Sequence, residues 1–112
     1  TEEIIKRALA RSGISATAQQ FVSGKSAGVR KRYYLDFAIF CRRGTIAIEC
    51  DNLKAHAGKA QCERDQQKDR FLRSRGFAVL RLTEHEIMFD LSGCMNRLRS
   101  MITKLGGVKN GL

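Results

Sequence analysis

The sequence predicts an α/β fold in which a small sheet is covered on both faces by helices. Three observations carry this. The runs Tyr33–Phe40 and Gly44–Asp51 are apolar on both strand faces, so helices from before and after them must cover the sheet. A third run, Phe77–Leu82, follows a helical segment, Gln61–Ser74, which makes a β–α–β crossover, normally right-handed and parallel. The segments around Ile5 and Leu98 repeat their apolar residues at helical spacing.

The 112 residues are expected to form one domain over residues 1–105, with a flexible tail at 106–112. The 43% hydrophobic fraction is that of a folded chain. No apolar run approaches the ~18 residues of a membrane helix, so no membrane partner is expected. The first ten residues are charged and helical in character, unlike a signal peptide. Beginning at Thr rather than Met, the chain is expected to be a fragment or processed piece of a longer protein.

The net charge of +10, from 21 Lys and Arg against 11 Asp and Glu, favours a polyanionic partner, nucleic acid above all. Lys25, Arg30, Lys31 and Arg32 precede the first core strand with no acid among them. Arg97, Arg99, Lys104 and Lys109 mark a second acid-free region. A basic amphipathic helix with an aromatic apolar face, the signature of an anionic membrane surface, is lacking.

In chain order, Thr1 can cap a helix from Glu2 in which Ile4, Ile5, Ala8 and Leu9 make the apolar face and Gly13 ends the run. Gln20–Val22 is expected as a short edge strand, and Ser23–Arg32, with Gly24, Gly28 and four cations, as a loop that contacts phosphates. The polar turn Cys41–Gly44 joins the two core strands, and a loop over Asn52–Ala60 carries Lys54 and His56. Helix Gln61–Ser74 is unusual. The line through Leu72 runs back through Lys68 and Asp65 to Gln61, so its inward stripe is polar until the last turn. Such a helix either lines a site or is anchored only at its C-terminus. After Phe77–Leu82, a turn at Thr83–Met88 carries Glu84, His85 and Glu86, with His85 on the surface. Leu91, Cys94, Met95, Leu98, Met101, Ile102 and Leu105 then make an amphipathic helix ended by Gly106-Gly107.

The cysteines, Cys41, Cys50, Cys62 and Cys94, lack the two-residue spacing of zinc fingers and ribbons. They are expected as buried free thiols of a reducing, cytoplasmic compartment. A zinc site built from Cys50, Cys62, Cys94 and a His is the alternative.

The acids of the core strands are the main anomaly. By strict alternation Asp36 shares a face with Tyr34, Ala38 and Phe40, and Glu49 and Asp51 share a face about 7 Å apart. Matched pairing of these faces brings three carboxylates to one end of the sheet. A buried unpaired carboxylate is costly, so the cluster asks for a cation.

LDF at 35–37, IECD at 48–51, His56, ERD at 63–65, Leu72 and GFAVLRL at 76–82 together resemble the Vsr-like branch of the PD-(D/E)XK nuclease superfamily. That branch includes very-short-patch repair endonucleases, phage homing endonucleases and restriction-like domains fused to helicases. The resemblance covers about Glu2 to Ile87. It implies a restriction-endonuclease-like three-layer fold with a central mixed sheet, and Mg²⁺- or Mn²⁺-dependent hydrolysis of DNA phosphodiesters. It also implies a bacterial or phage-like intracellular setting and attached DNA-binding or helicase domains. Asp36 then resembles the central metal ligand. Glu49 and Asp51 stand at the E-x-K element, His56 at the active-site His, Asp65 at the helix Asp of ERD, and Glu2 at the first-helix acid. Glu2 is equally explained as a first-turn acid favoured by the helix dipole. Asp51 occupies the position of the usual lysine, for which Lys54 or Lys68 can substitute. Asn52 stands where many relatives have Gly.

The chemistry is consistent with this. Phosphodiester hydrolysis needs charge neutralisation at the phosphoryl group and an activated water. Asp36 with Glu49 or Asp51, and a backbone carbonyl near Cys50, suit a hard cation such as Mg²⁺. His56, held by Asp65, can take the proton of the water. Arg81 is expected to touch phosphate or pair with an acid. The competing readings are a nuclease-like DNA-binding module that has lost catalysis and a protein-interaction module with a structural metal at the cysteines.

Overall fold

The computed structural model describes residues 1–51 and 58–109. Helix α1, Glu2–Arg11, buries Ile5, Ala8 and Leu9, the face its spacing dictates; the Thr1 side chain makes no capping hydrogen bond. Gly13, at φ 69°, takes the left-handed geometry that ends the run.

The segment expected as an irregular loop is a hairpin. Strand β1, Thr17–Ser26, pairs antiparallel with β2, Val29–Cys41, from Thr17↔Ala38 to Ser26↔Val29. Ala27 and Gly28 join them at φ 52° and 79°, the left-handed pair that matches strand twist in a two-residue turn. Along β2, Lys31, Tyr33 and Leu35 are partly or fully buried while Arg30, Arg32 and Tyr34 are exposed. Its distal half therefore has one bare face, and a bare strand carries the polar composition of a loop.

Strand β3, Gly44–Asp51, pairs antiparallel with β2 (Phe37↔Ile48 to Cys41↔Gly44) and parallel with β4, Phe77–Thr83 (Thr45↔Phe77 to Asp51↔Thr83). Helix α2, Lys59–Ser74, makes the parallel crossover. The mixed sheet runs β1-β2-β3-β4. Helix α2 covers one face through Phe71 and Leu72, packed on Leu35, Ala38 and Ala47. The other face, with Phe37, Ile39, Ile46, Ile48, Leu80 and Leu82, packs against α1, α3 (Glu84–Phe89) and α4 (Leu91–Lys104). Each fully buried Ile or Leu of this layer contributes about 1.5–3 kcal/mol.

Three further expectations change. The segment after β4 is a helix rather than a turn: Thr83 Oγ accepts the Glu86 N–H and the Glu86 carboxylate accepts the Thr83 N–H, a reciprocal cap that starts α3. The flexible tail is pinned as far as Lys109. Arg43 N–H donates to Leu105 O at 2.8 Å, Arg42 N–H to Gly107 O at 3.1 Å and Lys109 N–H to Phe40 O at 2.7 Å, and Val108 bridges Cys41.

The third concerns alternation, which breaks at Asp36. Tyr33, Leu35 and Ala38 lie on the α2 side, whereas Phe37 and Ile39 lie on the α1 side. Asp36 therefore does not share a face with both Tyr34 and Ala38. Opposite it, Gln19 has φ 52°, and no Gln19–Asp36 pair joins the ladder.

Candidate active site

The alternation break sits where β2 and β3 part, and two carboxylates fill the gap. Glu49 is the buried charged residue among the described residues, 4% exposed. Its Oε2 accepts the Asp36 N–H at 3.0 Å, and Asp36 Oδ2 accepts the Cys50 N–H at 2.7 Å. Each acid thus takes a backbone donor of the other strand, so both are fixed by main chain rather than by rotamer preference alone. The third partner comes from α2. Lys68 Nζ donates to Glu49 Oε1 and, at 2.9 Å, to the Tyr34 carbonyl. The line from Leu72 back to Lys68 and Asp65 does face the sheet, as the polar stripe requires.

Burial pushes the Glu49 carboxyl above the usual range; Lys68 and the Asp36 N–H pull it down but do not win. The pair therefore still favours added positive charge. Asp36 Oδ1 accepts no hydrogen bond among the described residues. Two carboxylates with hard oxygens suit Mg²⁺, which is commonly held by one or two carboxylates with several waters. Among the described residues no three His, Cys, Asp or Glu side chains gather into a metal-holding group.

Asp51 is drawn elsewhere. The parallel register sets Glu49 beside Arg81 and Asp51 beside Thr83. The Arg81 guanidinium takes Asp69 through both carboxylate oxygens, at 2.7 and 3.1 Å, and Asp51 Oδ1 at 2.9 Å, with Asp65 Oδ1 at 3.9 Å. Burial works against the Arg81 cation, but the Asp69 hydrogen bonds and the charges of Asp51, Asp69 and Asp65 hold its pKa above the ordinary value. Burial pushes the Asp51 carboxyl up, against the pull of Arg81. Of the two expected roles for Arg81, the structure displays pairing with acids. Asp65 also accepts the Gln61 side-chain N–H at 3.0 Å.

Glu2 is exposed in the first turn of α1 and accepts the Gln19 side-chain amide at 3.2 Å. Because Gln19 lies opposite Asp36, this brings the start of α1 to the same end of the sheet. Burial, then the charges of Asp36, Glu2 and Glu49, pushes the Cys50 thiol up to about 12, so it stays protonated. Lys25, Arg30 and Arg32 stand exposed on the hairpin, and Lys31 is half-buried toward α2. His56 and Lys54 lie outside the described residues. The cysteines are free, and Cys62 is exposed rather than buried. It lies on α2 while Cys94 is buried in the layer across the sheet, so these two do not meet.

Two residues of this region escaped sequence reasoning. Asp69 was detectable as an acid four residues after Asp65, hence on the same helix face. Gln19 carried no signal, because its place depends on the hairpin register.

The REase_MTES_1575 family matches residues 2–102. The chain belongs to that family. REase_MTES_1575 is a restriction-endonuclease-like family, consistent with the PD-(D/E)XK superfamily, and it points to a nuclease with DNA as its substrate class. The mixed four-stranded sheet between helices is compatible with that fold. No curated protein and no solved structure matches the chain. No described helix is long and apolar enough to cross a membrane.

Proposed function

We propose that this REase_MTES_1575 chain is an intracellular catalytic module of a larger protein, a Mg²⁺- or Mn²⁺-dependent DNA endonuclease of the Vsr-like kind. One observation carries the reading: Lys68 reaches from α2 to Glu49 beside Asp36, so a helix lysine supplies the positive charge that the Asp51 strand position lacks.

Asp36 and Glu49, with the Cys50 carbonyl, would hold the metal. A metal held there would supply charge neutralisation at the phosphoryl group and a water of lowered pKa. Lys68 is tethered by Glu49 and the Tyr34 carbonyl, so its ammonium is fixed before substrate arrives and can stabilise charge developing on the phosphoryl oxygens. Asp36 and Glu49, locked by backbone N–H donors, need no rearrangement to bind. His56 is assigned the proton of the attacking water, with Asp65 orienting it, because an imidazole with pKa near ~6.5 suits a base at neutral pH. Arg81 holds Asp51, Asp65 and Asp69 in place. Glu2 completes the acidic rim through Gln19. Attached DNA-binding or helicase domains would direct where the module cuts.

The test is nicking of supercoiled plasmid with Mg²⁺ or Mn²⁺ by the parent, Asp36→Ala and His56→Ala. Nicking by the parent that is lost in Asp36→Ala is expected; unchanged nicking by Asp36→Ala refutes the reading. A second reading, a DNA-binding module without catalysis, is favoured by the acid at position 51, and DNA binding without any nicking would select it.

A further inference from the structure

The hairpin has a face that the nuclease reading does not use. Beyond the Gln19–Asp36 break, the α2 side of the hairpin is occupied: Val22 and Tyr33 pack on the Leu35–Phe71–Leu72 cluster. The opposite side is bare. It presents three cross-strand pairs in a row, Phe21↔Tyr34, Ser23↔Arg32 and Lys25↔Arg30, all six residues exposed. Phe21 and Tyr34 are 44% and 62% exposed and in contact, with ring centroids 5.1 Å apart. Among the described residues, Lys25, Arg30 and Arg32 form no ion pair.

The order of the pairs matters. The aromatic pair lies nearest the carboxylates, with Tyr34 two residues, about 7 Å, before Asp36, and the cations continue outward at about 7 Å per pair. Exposed rings beside a cationic track are what sequence-tolerant binding of unpaired strands requires, since every base has a π-face and every linkage a phosphate. Charge argues against a second copy of this chain on the same face, because three unpaired cations would meet their own counterparts on a chain of net +10.

We propose that this face is a stacking platform for unpaired DNA: a base splayed from its partner stacks on Phe21–Tyr34 while its flanking phosphates follow Arg32, Lys25 and Arg30. Binding stands on the hairpin alone. That the platform presents DNA with a single-stranded stretch for cutting at Asp36 and Glu49 rests on the nuclease reading.

The test is fluorescence anisotropy without divalent metal, using a labelled oligo-dT strand and a duplex of equal length. Phe21→Ala/Tyr34→Ala is expected to weaken oligo-dT binding about 5- to 150-fold and duplex binding less than about twofold. Phe21→Leu/Tyr34→Leu, which keeps apolar bulk on the strands, is expected to lose oligo-dT affinity as well. Arg32→Gln is expected to lower the slope of log K against log salt by about 0.7. Unchanged oligo-dT binding in both aromatic variants overturns the proposal. So does equal loss on strand and duplex, tighter binding of oligo-U than of oligo-dT, or a parent dimer that the aromatic substitutions dissociate. Asp36→Ala is expected to keep oligo-dT binding while losing nicking, so failure of the platform and failure of the nuclease reading give different results.

Discussion

Lys68→Ala isolates the interaction on which the site depends. It leaves Glu49, 4% exposed, without its ammonium partner. Removing one member of a buried pair costs about 3–5 kcal/mol, because the other charge stays buried. Lys68 is itself partly exposed and water can replace some of its charge, so the low end, ~3 kcal/mol, is expected for this pair at about pH 8. Glu49 can also escape by taking a proton. Burial already raises its pKa, and removing Lys68 removes a force that lowers it. A carboxyl whose folded pKa is raised binds more protons folded than unfolded, so stability falls as pH rises through that range. The deficit of Lys68→Ala is therefore largest at about pH 8 and smaller near pH 4, as Glu49 takes up a proton. At about 4 °C per kcal/mol for a chain of this size, Tm drops on the order of 10 °C at the higher pH. Urea unfolding followed by circular dichroism at both pH values measures this. Glu49→Gln/Lys68→Ala is expected to recover at least about 1 kcal/mol relative to additivity. A deficit below about 0.5 kcal/mol at pH 8, or one independent of pH, refutes the reasoning.

Other substitutions test the supporting structure. Arg81→Met is expected to destabilise by about 2–4 kcal/mol by leaving Asp51, Asp65 and Asp69 to repel one another, and Arg81→Lys to rescue little of it, because a single ammonium cannot reproduce the paired contacts to Asp69; urea unfolding reads both. The Glu86 pKa is lowered by the Thr83 N–H, so its stabilisation is present above the unfolded glutamate value and is lost as pH falls through the folded one; Glu86→Gln is expected to flatten that acid limb, and Thr83→Ala to cost about 1 kcal/mol in thermal melts. Ala27→Gly is expected to stabilise by up to about 1 kcal/mol, since Ala27 sits at φ 52° in the hairpin turn.

The legible parts of the fold were those with two covered faces. Ile46, Ile48 and Leu80 are buried with apolar neighbours along each strand, so β3 and β4 declare themselves in the sequence, and Gln61–Ser74 between them fixes the crossover. The β1–β2 hairpin was not legible because its distal half buries one face only, and Arg30 and Arg32 at exposed strand positions look like loop residues. Within the site, Asp36, Glu49 and Lys68 could be picked out, the acids because they interrupt apolar strands and Lys68 because it falls one turn before buried Leu72. Their mutual arrangement could not. It depends on the left-handed Gln19, which shifts the alternation at Asp36, and on the register of β3 with β4, which hands Asp51 to Arg81.

The most direct test of the central claim is the single-turnover rate of DNA cleavage by Lys68→Gln, at saturating Mg²⁺ and under conditions where circular dichroism shows the variant folded. If Lys68 supplies the charge that the strand position lacks, the rate falls about 100-fold or more, as for loss of a preorganised donor, while DNA affinity changes less than about threefold. A Lys68→Gln rate equal to that of the parent would contradict the account.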